Sequence, residues 1–195
     1  MPEEEKNIEA TEYDIVRSRS GIMNIYSAER KLRWCGYVLL AASLTAPVLL
    51  LLPDRVVETY LDGTPLSTPL TLAGMAFLGV TLVLASVPGL VWISVVSQDT
   101  ADASRDKAWR LAGMEGIFGW FAFGWGAPLV FIALGAAASG FLGVDFIESL
   151  GDRGITPYSG EATLSLPVAY LSATTFVLGF SVVYLAAYIS RSDSD

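Results

Sequence analysis

The sequence contains no histidine and a single cysteine, and only 16% of its 195 residues are charged. Without histidine there is no imidazole general acid or base, no histidine-ligated haem and no Ser-His-Asp triad. One thiol, Cys35, makes no disulfide within the chain and supplies neither a cysteine-rich zinc site nor the ligands of an iron–sulfur cluster. No glycine-rich phosphate loop ending in Gly-Lys-Ser/Thr occurs. Most redox, nucleotide-dependent and hydrolytic chemistries are thereby excluded for the chain acting alone, and no cofactor is expected.

Charge is missing in a pattern. The stretches 34–53, 70–97, 116–144 and 165–190 carry no Asp, Glu, Lys or Arg. Each reaches the roughly 20 residues that cross about 30 Å of hydrocarbon, and uncharged runs of this length leave a soluble helix no polar face. Nor do they show the short alternating segments of a membrane barrel. The expectation is an all-α, polytopic membrane protein: an antiparallel bundle of four transmembrane helices over 34–190. A cytoplasmic arm, 1–33, precedes it, with a disordered first twenty residues and an amphipathic lead-in helix from Asn24 or Ser27. A short tail, 191–195, follows. Spans drawn this way hold no ionisable side chain, which disfavours a carboxylate-driven pump.

Ten of the twelve basic residues fall in the arm, in residues 98–115 and in the tail; only Arg55 and Arg153 lie in the other two loops. By the positive-inside rule both termini are cytoplasmic and the protein is a multi-pass component of the cell membrane. Residues 1–33 have no apolar core of a signal peptide ahead of Trp34. The formal net charge of −8 resembles the acidic surfaces of salt-adapted proteins. It also disfavours nucleic acid, since every segment outside the spans is neutral or acidic overall.

Within the spans, Pro47, Pro88 and Pro128 each remove a backbone hydrogen bond and mark candidate kinks or hinges. The third span is rich in small residues. Gly126, Gly135 and Gly140 fit small-xxx-small spacing with Ala122, Ser139 and Ala136, the pattern of closely approaching helices. Ser172, Thr174 and Thr175 either line a polar path or bond to a neighbouring helix or their own carbonyls. In the first outer loop, Asp62-Gly63 predicts a turn or short hairpin; in the second, Gly151, Gly154, Pro157 and Gly160 predict irregular turns.

After the second span the chain reads Gln98-Asp99-Thr-Ala-Asp102-Ala-Ser-Arg-Asp106, which resembles the cytoplasmic Asn-Asp-x-x-Asp-x-x-x-Asp motif of UbiA-type prenyltransferases. The resemblance implies that Asp99, Asp102 and Asp106 hold Mg²⁺ and through it a lipid diphosphate. Steps of three and four place the three carboxylates along one helical face. Gln98 stands where the family has Asn, four spans replace about nine, and no second Asp-rich motif follows. Asp145, Glu148 and Asp152 repeat the spacing on the opposite side, and Asp106 with Arg110 also fits an ordinary helical ion pair.

The reading that follows is a non-catalytic membrane subunit, with the lipid bilayer and other membrane chains, or further copies of itself, as partners. A small homo-oligomeric permease or channel is the alternative, and the Mg²⁺-dependent lipid enzyme the remote one.

Overall fold

The computed structural model describes residues 12–19, 24–66, 71–98, 104–158 and 167–192, which are helical with no strand among them. Four helices are long and apolar enough to cross a membrane: Ala28–Leu50, Leu72–Ser97, Arg105–Leu142 and Val168–Arg191. The chain is an all-helical, membrane-spanning protein.

A short helix, α1 (Glu12–Arg19), forms inside the stretch whose composition suggested no structure. The first spanning helix then opens where its cap directs. Ser27 adopts an extended conformation, its hydroxyl accepts the Arg30 amide, and Glu29 occupies the first turn of α2 (Ala28–Ser43). Lys31, Leu32, Cys35, Val38, Leu39 and Ala42 line its buried face at helical spacing. Leu44 interrupts the helix, and α3 (Thr45–Leu50) carries Pro47. At this break the Ala46 amide donates to the Ser172 hydroxyl at 3.0 Å. Ser172→Ala strands that buried amide and is expected to cost about 1–3 kcal/mol in a denaturant or thermal unfolding series.

α4 (Asp54–Tyr60) occupies the loop where a hairpin was one expectation. The Asp62-Gly63 turn is present, with both residues at positive φ, but it ends a helix: the Gly63 and Thr64 amides bond back to Val57 and Leu61. α5 (Thr71–Gln98) runs unbroken through Pro88.

The third long helix comprises α6 (Arg105–Gly119), a π-helical stretch Trp120–Gly126, α7 (Ala127–Ala138) and a 3₁₀ turn Ser139–Leu142. Its 38 residues extend about 57 Å, nearly twice the hydrocarbon thickness. The ladder widens because the Ala127 amide bonds Ala122, five residues back. This occurs immediately before Pro128, whose ring would crowd the Gly124 carbonyl in a regular α-turn. After α8 (Val144–Gly151), turns through Gly154, at φ 78°, lead to Tyr158. The Tyr158 phenol donates to the Ala137 carbonyl and accepts the Gly140 amide. Burial raises its pKa, which keeps it a donor and pins this loop to the end of the third helix. α9 (Val168–Ser192) completes the chain.

Packing centres on α2 and α9, whose backbones meet at Gly36 and Gly179: a Cβ on Gly36 would stand 3.0 Å from the Gly179 carbonyl. A second close approach joins α5 to the third helix, where a Cβ on Gly79 would lie 2.7 Å from the Gly126 carbonyl. Such approaches replace the hydrophobic effect as the source of helix association in lipid.

Candidate functional site

The spans as drawn, 34–53 and 116–144, hold no ionisable group, but the helices that contain them extend back to Ala28 and Arg105 and bury two charges at one end of the bundle. Lys31, in α2, and Glu115, in α6, are 3% and 0% exposed. The Lys31 Nζ donates to Glu115 Oε1 at 2.7 Å and to Asn24 Oδ1 at 3.0 Å. The Tyr13 hydroxyl donates to Glu115 Oε2 at 2.6 Å, and Asn24 Nδ2 donates to the Ala112 carbonyl at 2.9 Å. Four parts of the chain meet here: α1, the turn at Asn24, α2 and α6.

Charge-free runs excluded both residues by construction, since the first run began at Trp34 and the third at Gly116. Helical periodicity carried the missing signal. Ala28, Leu32, Cys35 and Leu39 place Lys31 on the buried face of α2; Ala108, Leu111, Ala112 and Gly119 do the same for Glu115 on α6. Removing two charges from water is costly unless they pair and their remaining valences are met. Here both carboxylate oxygens accept from this chain, and no buried side-chain nitrogen or oxygen among the described residues lacks a partner. The arrangement fastens the N-terminal arm to the bundle.

Beside the cluster an apolar groove of about 470 Å³ runs between α2 and the third helix. Tyr26 and Lys31 line it near the start of α2, and Trp34, Phe123, Ala127 and Phe131 farther along. Phe123 belongs to the π-helical stretch, a local form frequent at functional sites.

The residues singled out from sequence fall elsewhere. Asp99 and Asp102 lie outside the described residues; Asp106 is exposed and pairs with Arg110 at 2.9 Å, one turn on. Among the described residues no three carboxylates, cysteines or histidines gather as metal ligands. Pro47 follows the break at Leu44, and Pro128 follows the π-helical stretch. Pro88 leaves its helix continuous, and its neighbour Gly89 lies against the Phe118 ring with no room for a side chain. Gly126 faces Val83 and the Gly79 carbonyl; Gly140 faces Leu52 and the Tyr158 hydroxyl. Gly135 has open space about it. Gly36 and Gly179 form the tightest contact between the first and fourth spanning helices; Gly36 has no small residue four positions away, and Gly179 has only Thr175, a weak signal of so close an approach.

The hydroxyls turn inward on their own helices. Ser43, Thr45, Thr81, Ser86, Ser94, Thr175 and Ser181 each donate to a carbonyl three or four residues earlier. Ser172 serves Ala46, and Thr174 faces outward. No row of free hydroxyls forms from them.

Fold and site together define a helical membrane protein in which the buried charges among the described residues, Lys31 and Glu115, are paired with each other. No protein-family profile matches the chain, and no curated protein or solved structure shows significant similarity to it.

Proposed function

We propose that this chain is a non-catalytic membrane subunit that packs against partner membrane chains through the outer face of α9. One observation carries the reading. Phe176, Phe180, Tyr184 and Tyr188, at successive four-residue steps, form a single ridge and are 57, 64, 70 and 65% exposed. Aliphatic side chains suffice to face lipid tails. Tyr188 lies one turn from Arg191, where headgroup water reaches its hydroxyl; Tyr184, a turn deeper, has less access to water, and a neighbouring helix supplies it with both a partner and aromatic packing. The internal pairing of Lys31 with Glu115, and of the hydroxyls with carbonyls, supports a packing role over a catalytic one.

The same proposal sets the spanning helices as an antiparallel bundle in the cell membrane with both termini cytoplasmic. Its support is the ten-to-two split of basic residues. Salt adaptation accounts for the acidic loops.

Extraction in mild detergent at high salt, followed by sizing and mass spectrometry, tests the reading. A different membrane chain should co-purify at fixed stoichiometry, and the Phe180→Ala/Tyr184→Ala variant should lose it while keeping the wild-type melting temperature. A lone chain or homo-oligomer that itself moves a solute across liposomes overturns the subunit reading in favour of a permease.

A further inference from the structure

The groove beside the buried ion pair differs from the lipid-facing surface around it. It is a recess of about 470 Å³ rather than a ridge, its walls are almost wholly apolar, and its one charged lining residue, Lys31, lies near the start of α2. At that end Tyr26 forms part of the wall, and the Arg30 guanidinium lies 5.6 Å from the centre of the Tyr26 ring. Arg30 is exposed, and no carboxylate of the described residues lies within ion-pair distance of it. Arg33, also exposed, lies one turn later and turns to α9, where its Nη2 donates to the Ser190 hydroxyl at 3.5 Å, and Glu29 supplies one carboxylate nearby in sequence. The N-terminus of α2, capped by Ser27, points its positive dipole end the same way. Lys31 contributes no net charge because Glu115 neutralises it.

We propose that this groove binds one anionic phospholipid. One of its two hydrocarbon chains lies along Trp34, Phe123, Ala127 and Phe131, and its phosphate sits against Arg30 at the start of α2. Apolar walls along the recess suit a hydrocarbon chain. Charge selects the headgroup: a zwitterionic lipid brings its own cation to a mouth that already carries an excess of positive charge, whereas an anionic one complements it. Tyr26 stands at the mouth, an amphipathic ring of the kind that seats at the headgroup level. The π-helical stretch has a direct part, since the widened turn supplies Phe123 to the groove wall. This inference does not depend on the subunit reading.

The test uses the full chain, stripped of lipid in detergent and re-exposed to phosphatidylglycerol or phosphatidylcholine of identical acyl chains, with bound lipid counted by native mass spectrometry. One phosphatidylglycerol should be retained per chain, with a preference of about fivefold over phosphatidylcholine, as one basic side chain at a membrane surface provides. Arg30→Gln, a change at an exposed position, should bring the two lipids to near parity. Ala127→Phe, which fills the recess, should reduce retention of both. Equal retention of the two lipids by the wild type, or unchanged preference in Arg30→Gln, overturns the proposal. Displacement of the lipid by glycerol phosphate at equal concentration would show a soluble-anion site instead. Dimers that vanish with Ala127→Phe would show that a second copy fills the groove, and either result also overturns it.

Discussion

Replacing Glu115 by alanine is expected to lower the unfolding free energy by about 3–5 kcal/mol, the largest effect of any single substitution in this chain. The carboxylate is fully buried and accepts from both Lys31 and Tyr13. Its removal leaves an ammonium inside the bundle with only the Asn24 oxygen opposite it, together with a phenol deprived of its acceptor. The double variant Lys31→Met/Glu115→Leu removes both charges and keeps approximate volume. It should regain most of the loss, because a buried pair is worth little more than apolar residues of its own shape while a broken pair is costly. Denaturant unfolding of the three proteins in one detergent measures the cycle. Limited proteolysis supplies a local readout: if the cluster fastens α1, Glu115→Ala exposes the arm to cleavage well before the bundle unfolds, and the double variant does so less.

The second large effect belongs to Gly36. A Cβ there would stand 2.5 Å from Val183 Cγ2 and 3.0 Å from both the Gly179 carbonyl oxygen and the Val183 amide nitrogen. A valine side chain can rotate away; two backbone atoms of a regular helix cannot. Gly36→Leu should therefore force α2 and α9 apart, costing about 3 kcal/mol, at the upper end of the usual range for overpacking. Gly135→Ala provides the comparison within the same molecule. Nothing lies within 4 Å of its added methyl, so the melting temperature should stay the same or rise slightly with the better helix propensity. Equal destabilisation by the two substitutions would remove the α2–α9 contact from its place at the centre of the packing.

The number and rough placement of the spanning helices were legible in the sequence, because a bilayer forces local information into view. A segment of about 20 residues either tolerates hydrocarbon or does not. The start of α2 was legible as well, since Ser27 and Glu29 form a cap that acts within one turn. The extents were less so. Helix boundaries drawn from charge-free runs placed the third span at 116–144, whereas the helix begins at Arg105 and continues as one rod. A helix does not end where its polarity changes; it ends where its hydrogen bonds do. The outer loops illustrate the same limit. Asp62-Gly63 announced its turn, yet the pattern before it was compatible with strand or helix, and α4 is a helix.

What the sequence determined alone is the class: apolar runs, scarce charge and the lack of histidine restrict this chain to a helical membrane protein without imidazole chemistry, and each follows from local composition. Tertiary structure decided which residues meet. Lys31 and Glu115 are 84 positions apart, and Gly36 and Gly179 are separated by most of the bundle, yet both pairs are in contact. Residue type and spacing set the face on which a side chain lies, and only the docking of helices sets what stands opposite it. A lysine and a glutamate that fall outside the charge-free runs thus become a buried pair once α1, α2 and α6 close around them.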